Sequence, residues 1–282
     1  MSLLGVALML QAVAAPAPPR DLPRTDAAKL SPYKIVLVGD STMAPMSGWA
    51  SAFCARHVKS SVACVNLGRG GRSTRSYRQE GSWDIALSEA RVAGYKATYV
   101  LIQFGHNDQS SVAERWTQLN GEFGTNLRRM VAEAHAAGAK PVLLTPLTRR
   151  EFVGGRLNNT LDAWSAEVRS VATALEVPLV DLNVDSARLV QQLGAERAAT
   201  LAQAPPNDIE RAAAAAGTTL KPRDAEVARL PDLPTTATGP RGQHTRKFDY
   251  THVGDAGAAA FAKLVAEGLA RAVPELRSQL TP

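Results

Sequence analysis

Ser41 stands in Gly39-Asp40-Ser41-Thr42, directly after the apolar run 33–38. A serine hydroxyl is a useful nucleophile only when a neighbouring base takes its proton. Asp249-Tyr250-Thr251-His252 offers such a base far downstream. Asp249 and His252 are three residues apart, a spacing that can bring both side chains to one face of a turn or helix. The carboxylate would then fix the imidazole tautomer and stabilise the imidazolium. Two further clusters could hold a developing oxyanion. Asn107, in Gly105-His106-Asn107-Asp108, supplies a side-chain N–H donor, and Gly71, in Gly68-Arg69-Gly70-Gly71-Arg72-Ser73, a backbone one. The Ser41 amide would be the third donor. Together these groups would carry out nucleophilic acyl transfer.

Each cluster alone has a plainer use. Asp40-Ser41-Thr42 suits a helix cap. Asp249 could cap a helix and leave His252 as a packed or surface histidine. Gly105-His106-Asn107-Asp108 has turn composition, with His106 and Asp108 in structural roles. The glycines at 68, 70 and 71 match neither the P-loop nor the dinucleotide spacing, so they make no phosphate cradle.

What joins the clusters is their position. Near-continuous apolar runs at 33–38, 62–66, 98–103, 140–145 and 178–182 read as strands covered on both faces. Ser41, Gly71 and Asn107 each fall just past the end of one. Helical three-four periodicity is expected at 48–58, 83–93, 116–137, 160–175, 185–202 and 254–273. Alternating strands and helices predict a parallel sheet with helices on both faces: a flavodoxin-like, three-layer α/β/α sandwich with five strands. In such sheets the ligand crevice lies at the carboxyl ends of the strands.

The remaining organisation is simple. Residues 1–14 read as a signal peptide ending in Ala12-Val13-Ala14, although no Lys or Arg precedes the apolar core. Residues 15–32 read as a Pro-rich linker, and 33–282 as one domain interrupted by an insertion at about 204–247. That insertion carries six prolines and few apolar residues. It is expected to be either a structureless loop or a flap lining the cleft beside His252. Cys54 and Cys64 could form one bridge in an oxidising compartment or remain two small buried hydrophobes. Hydrophobic content of 45% fits a globular chain, and the net charge of +6 would suit an acidic partner or a merely solvated surface.

The motifs resemble the SGNH, or GDSL-type, hydrolases, through Ser41, Gly71, Asn107 and His252. More narrowly, Gly39-Asp40-Ser41-Thr42-Met43-Ala44, the arginine-rich stretch ending at Tyr77 and Phe104-Gly105-His106-Asn107-Asp108 resemble rhamnogalacturonan acetylesterases, carbohydrate esterases of family twelve. The likeness covers 33–182 and 249–272. It implies a secreted or periplasmic serine esterase that removes acetyl groups from a pectic polysaccharide. No metal or organic cofactor is implied, and no membrane or nucleic-acid partner; a monomer is expected. Other acyl donors (acetylated xylan, peptidoglycan, lipid or a small ester) stay open, as does a catalytically silent carbohydrate-binding protein. Arg69, Arg72, Arg75 and Arg78 could meet galacturonate carboxylates, or pair with local acids such as Glu80 and Asp84. Trp83 and Trp49 could stack on sugar rings or pack in the core.

Overall fold

The computed structural model describes residues 32–220 and 246–281. The expected signal peptide, nearly all of the linker, and 221–245 of the expected insertion lie outside the described residues. Five parallel strands form the main sheet: β1 (Tyr33–Gly39), β2 (Ala63–Asn66), β3 (Ala97–Gln103), β4 (Lys140–Leu144) and, after a short hairpin, β7 (Leu179–Val180). Their spatial order is β2-β1-β3-β4-β7. The connection therefore reverses direction at β1, which has β2 on one side and β3 on the other. This is the switch point at which such sheets open a crevice.

Strand side chains alternate between faces, and the two faces build separate cores. Ile35, Leu37, Leu101, Val142 and Leu144 pack with Phe53 of α1 (Ala50–Arg56) and Phe261, Val265 and Leu269 of α8 (Asp255–Ala272). Val36, Val38, Val100, Ile102 and Leu143 pack with α3 (Ser82–Ala90), α4 (Gly124–Ala136) and α5 (Asp162–Ala174), through Trp83, Leu127, Met130, Trp164 and Val168. The architecture is thus the expected three-layer α/β/α sandwich around a five-stranded parallel sheet. Each large apolar side chain buried in these layers contributes about 1.5–3 kcal/mol before entropy is counted.

Several elements escape the periodicity. Short helix α2 (Thr74–Gln79) starts at a capping box between Ser73 and Ser76. A π turn at Leu119–Phe123 precedes α4, a two-residue hairpin joins β5 (Phe152–Val153) to β6 (Arg156–Leu157), and a 3-10 turn at Pro274–Gln279 closes the chain. Helix α6 (Leu182–Ala199) bends where Gly194 adopts a positive φ of 72°. The described start of the insertion is not structureless. It forms α7 (Asp208–Ala215), capped reciprocally by Asn207 and Glu210, and then bonds to the hairpin through Gly155 N to Gly217 O (2.7 Å) and Thr219 N to Phe152 O (3.0 Å). Cys54 and Cys64 are disulfide-bonded, with Cα atoms 5.6 Å apart, and tie α1 to β2.

Helix α2 also settles where two of the arginines point. Arg75 and Arg78 are three apart on one helical face, and that face meets acids of the π turn and α4. Arg75 is ion-paired to Glu122; Arg78 donates to Glu133 at 2.6 and 3.0 Å. Trp83 is 2% exposed and donates Nε1–H to the same Glu133 at 2.5 Å. The expectation that Trp83 contacts substrate is therefore corrected by its burial, while Arg75 and Arg78, expected to meet substrate or to pair with local acids, are half-buried and paired with Glu122 and Glu133. Trp49 is likewise buried, donating to Gln103 at 3.0 Å.

The Arg78 guanidinium, the Trp83 indole N–H and Arg129 hold the Glu133 carboxyl at about 2, against an ordinary 4.5, in spite of partial burial. A depressed carboxyl stabilises the fold above its unfolded value and loses that contribution as pH falls through its folded value. Glu133→Gln should therefore lower unfolding free energy at neutral pH by about 2 kcal/mol. The gap to wild type should close between pH 4.5 and pH 2. Denaturant titrations at several pH values would check this; a gap that persists undiminished at the acid end would contradict it.

Candidate active site

The strand ends and two long-range staples bring remote residues together. β1 ends at Gly39, where a side chain would collide with Met43 Sδ at 2.2 Å and the Gln103 carbonyl at 2.6 Å, so only glycine lets the chain turn there. The turn closes on the Asp40 carbonyl, which accepts from the Met43 and Ala44 amides, both at 3.1 Å. Asp40 itself is buried and binds the Thr42 amide and hydroxyl, each at 2.8 Å. The distant C-terminal turn is fastened to this loop by Val253 N to Ser47 O at 3.0 Å. Ser47 in turn donates its hydroxyl to the Ser41 carbonyl at 2.8 Å.

The result is a continuous relay. His252 Nε2 lies 2.8 Å from Ser41 Oγ, and His252 Nδ1 lies 2.8 Å from Asp249 Oδ2. With Nδ1 protonated, Nε2 presents its lone pair to the serine hydroxyl, as a general base must. Asp249 Oδ1 accepts the Thr251 amide at 2.8 Å and the His252 amide at 2.6 Å. Burial works to raise the Asp249 carboxyl, but the His252 ring and these amides outweigh it, and it ends below its ordinary value. Asp249 is thus held ionised beside the imidazole.

Two supports of this turn carry no sequence signal. Arg150 is 1% exposed and donates to three carbonyls of the turn: Thr251 (3.2 Å), Asp249 (2.9 Å) and His252 (2.8 Å). Burial pulls its guanidinium down to about 10, so it stays cationic at neutral pH and its charge favours the nearby Asp249 carboxylate. Gln203, at the end of the α6 region, donates to Asp249 Oδ2 at 3.2 Å. Arg150 adjoins the turn only through contacts across about a hundred residues of chain, which local periodicity does not encode.

The expected oxyanion donors are adjacent. Gly70 faces Ser41: a Cβ there would lie 3.8 Å from Ser41 Cβ. Gly71 takes a positive φ of 76°, which glycine adopts without strain. Asn107 donates Nδ2–H to the Arg72 carbonyl at 3.1 Å, so its amide is fixed against the glycine loop with a second N–H to spare. Asn107→Ala should lower kcat on an acetate ester by about 100- to 1000-fold with little change in KM, as removal of one oxyanion donor does. Steady-state kinetics would check this; a loss under about tenfold, or one confined to KM, would remove Asn107 from that role.

The other members of the Gly105–Asp108 cluster are structural. His106 is 6% exposed, its Nδ1 3.4 Å from Asp40 Oδ2, and burial pushes the ring's pKa down. Asp108 ties two loops together: it accepts from the Thr74 amide (3.1 Å) and hydroxyl (2.5 Å) and from the Thr117 hydroxyl (3.0 Å). Arg72 donates to Glu80 at 2.8 Å and to the Gly70 carbonyl at 2.7 Å, bracing the glycine loop. Arg69 donates to Ser82 at 2.9 Å and lies 3.5 Å from Glu80. Of the two local acids expected as partners, Glu80 serves both arginines, and no ion pair joins Asp84 to any of the four.

Residues 37–260 match the family model described as GDSL-like lipase/acylhydrolase. The chain is 34% identical over 178 residues to the rhamnogalacturonan acetylesterase RhgT of Bacillus subtilis, a match covering 60% of this chain and 73% of that one. It is 28% identical over 173 residues to the probable rhamnogalacturonan acetylesterase YesY of the same organism, covering 59% and 77%. Among solved structures, the YXIM protein of Bacillus subtilis superposes with a TM-score of 0.61 at 23% identity, over 86% of this chain and 57% of that one, a likeness of fold. With the matched region running from β1 into α8 and enclosing both the serine turn and the histidine turn, the chain belongs to the GDSL-like lipase/acylhydrolase family and is an esterase.

Proposed function

We propose that this protein removes O-acetyl groups from a plant cell-wall polysaccharide, rhamnogalacturonan foremost, through an acetyl-Ser41 intermediate. The observation that carries the mechanism is the 2.8 Å contact between His252 Nε2 and Ser41 Oγ. Ser41 Oγ attacks the acetyl carbonyl carbon while its proton passes to His252 Nε2. Negative charge collects on the carbonyl oxygen, held by the Ser41 and Gly71 amides and the free Asn107 N–H. Collapse breaks the bond to the sugar oxygen, which takes the proton from His252. A water molecule then attacks the acetyl-enzyme, gives its proton to His252, and releases acetate as Ser41 recovers that proton. Asp249 remains ionised throughout and stabilises the imidazolium.

The two rhamnogalacturonan acetylesterase relatives support the choice of substrate. Export to the periplasm or the medium is supported by the signal-like stretch 1–14 and by the Cys54–Cys64 bridge, since disulfides persist in oxidising compartments. Action as a monomer is supported by the spread of large exposed apolar side chains over separate elements, such as Ile85 on α3, Val153 on β5 and Ile209 on α7. The deciding experiment measures acetate released by the purified enzyme from acetylated rhamnogalacturonan and from acetylated xylan. Faster release from rhamnogalacturonan is expected; equal rates, or a preference for xylan, would overturn the substrate.

A further inference from the structure

A cation near the reacting ester would favour an acidic polymer, and the arginines that the sequence singles out already have internal acid partners. Arg69 and Arg72 share Glu80, Arg75 holds Glu122 and Arg78 holds Glu133. Arg115 differs from all of them. It is half-buried, and among the described residues its guanidinium has no ion pair or side-chain hydrogen bond. It lies against the oxyanion loop: a Cβ on Gly71 would meet Arg115 Cζ and an Nη atom at 3.3 Å each. The preceding residue, Gly70, faces Ser41 in the same way. One peptide unit, about 3.8 Å between Cα atoms, thus separates the glycine over the nucleophile from the glycine under the guanidinium.

The position of Arg115 is built. Its loop is closed by Arg115 N to Val112 O at 3.0 Å and by Thr117 N to Asp108 O at 3.1 Å. The fully buried Thr117 hydroxyl and the Thr74 amide and hydroxyl converge on the Asp108 carboxyl. Asp108 therefore locks the loop bearing Arg115 to the start of α2, three residues beyond Gly71. Trp116, the next residue in the chain, is 47% exposed.

We propose that Arg115 is the carboxylate-recognition residue of the substrate cleft, holding a uronic acid carboxylate of the polymer next to the acetylated sugar. Its planar fork of donors, freed from internal partners, matches a carboxylate in a bidentate pair. This role rests on the polysaccharide esterase function proposed above, and the test separates the two. Wild type and Arg115→Gln are assayed on acetylated rhamnogalacturonan, on the same polymer with its carboxyl groups reduced to alcohols, and on 4-nitrophenyl acetate. The variant should lose about tenfold or more in kcat/KM on the acidic polymer, chiefly through KM, and that loss should exceed its loss on the two neutral substrates by about the same factor. Added salt should weaken the acidic reaction of wild type more than that of the variant. Equal losses on all three substrates would reassign Arg115 to the oxyanion or to folding, and no loss on any would leave it without a role; either overturns the proposal.

A binding arm does not depend on which ester is cut. Unacetylated rhamnogalacturonan oligosaccharide is titrated into Ser41→Ala and into Ser41→Ala with Arg115→Gln, and the second should bind about tenfold more weakly. If wild type releases no acetate from the polymer but this difference holds, the substrate reading fails and the carboxylate site stands. If the two proteins bind alike, the site fails.

Discussion

Ser41→Ala should lower turnover of any acetate ester by about 10,000-fold or more, because the acyl-transfer route needs an oxygen at that position. The neighbouring groups cannot substitute. Thr42 is fully buried, with its hydroxyl given to Asp40 at 2.8 Å. Ser47 is committed to the Ser41 carbonyl at 2.8 Å. The truncation removes a hydroxyl whose side-chain partner is His252, and the imidazole is 31% exposed, so water can replace it and the fold should survive. Binding of uncleaved polysaccharide should persist, because the oxyanion loop and Arg115 are untouched. Steady-state kinetics with a matched circular-dichroism spectrum would check both halves. A loss of less than about tenfold in a folded variant would mean that another residue is the nucleophile.

Asp249→Asn should be almost as damaging, by about 10,000-fold in kcat, for a reason visible in the turn. One carboxylate oxygen accepts the Thr251 and His252 amides, at 2.8 and 2.6 Å. The other accepts from His252 Nδ1 at 2.8 Å and Gln203 Nε2 at 3.2 Å. An asparagine has only one acceptor oxygen, and the two backbone donors demand it. Its NH2 group would then face His252 Nδ1 and donate to it. The ring would be driven to the tautomer with its proton on Nε2, which cannot take the proton of Ser41. Gln203 would lose its acceptor as well. Nitrogen NMR of ring-labelled histidine should show Nδ1–H in the wild type and Nε2–H in the variant. Unchanged tautomers with full activity would remove Asp249 from the relay.

The parts that build the site are unequally legible in the sequence. Strands β1, β3 and β4 are readable because both faces are covered, leaving unbroken runs such as Ile35-Val36-Leu37-Val38. Ser41 and His252, which the fold brings within 2.8 Å, are readable because one follows an apolar strand and the other precedes an apolar helix. Helix α2 is six residues long and carries only Thr74 and Tyr77 inward, too short for a periodic signal. The face that Arg75 and Arg78 turn toward Glu122 and Glu133 therefore leaves no periodic mark either. Trp83 reads as either a sugar platform or a core residue, because its indole fits both and only burial decides. Arg150, Gln203 and Arg115 act through contacts between distant loops, and nothing local marks them.

Acylation of one hydroxyl, that of Ser41, is the central step of the proposed chemistry. The most direct measurement is peptide mapping by mass spectrometry after treatment with a phosphonate ester that reacts with activated serines. The label should appear on the peptide carrying Ser41, with one equivalent bound per chain, and should be absent from His252→Ala. A folded, active enzyme that remains unlabelled, or that carries the label on a peptide lacking Ser41, would contradict the proposed chemistry.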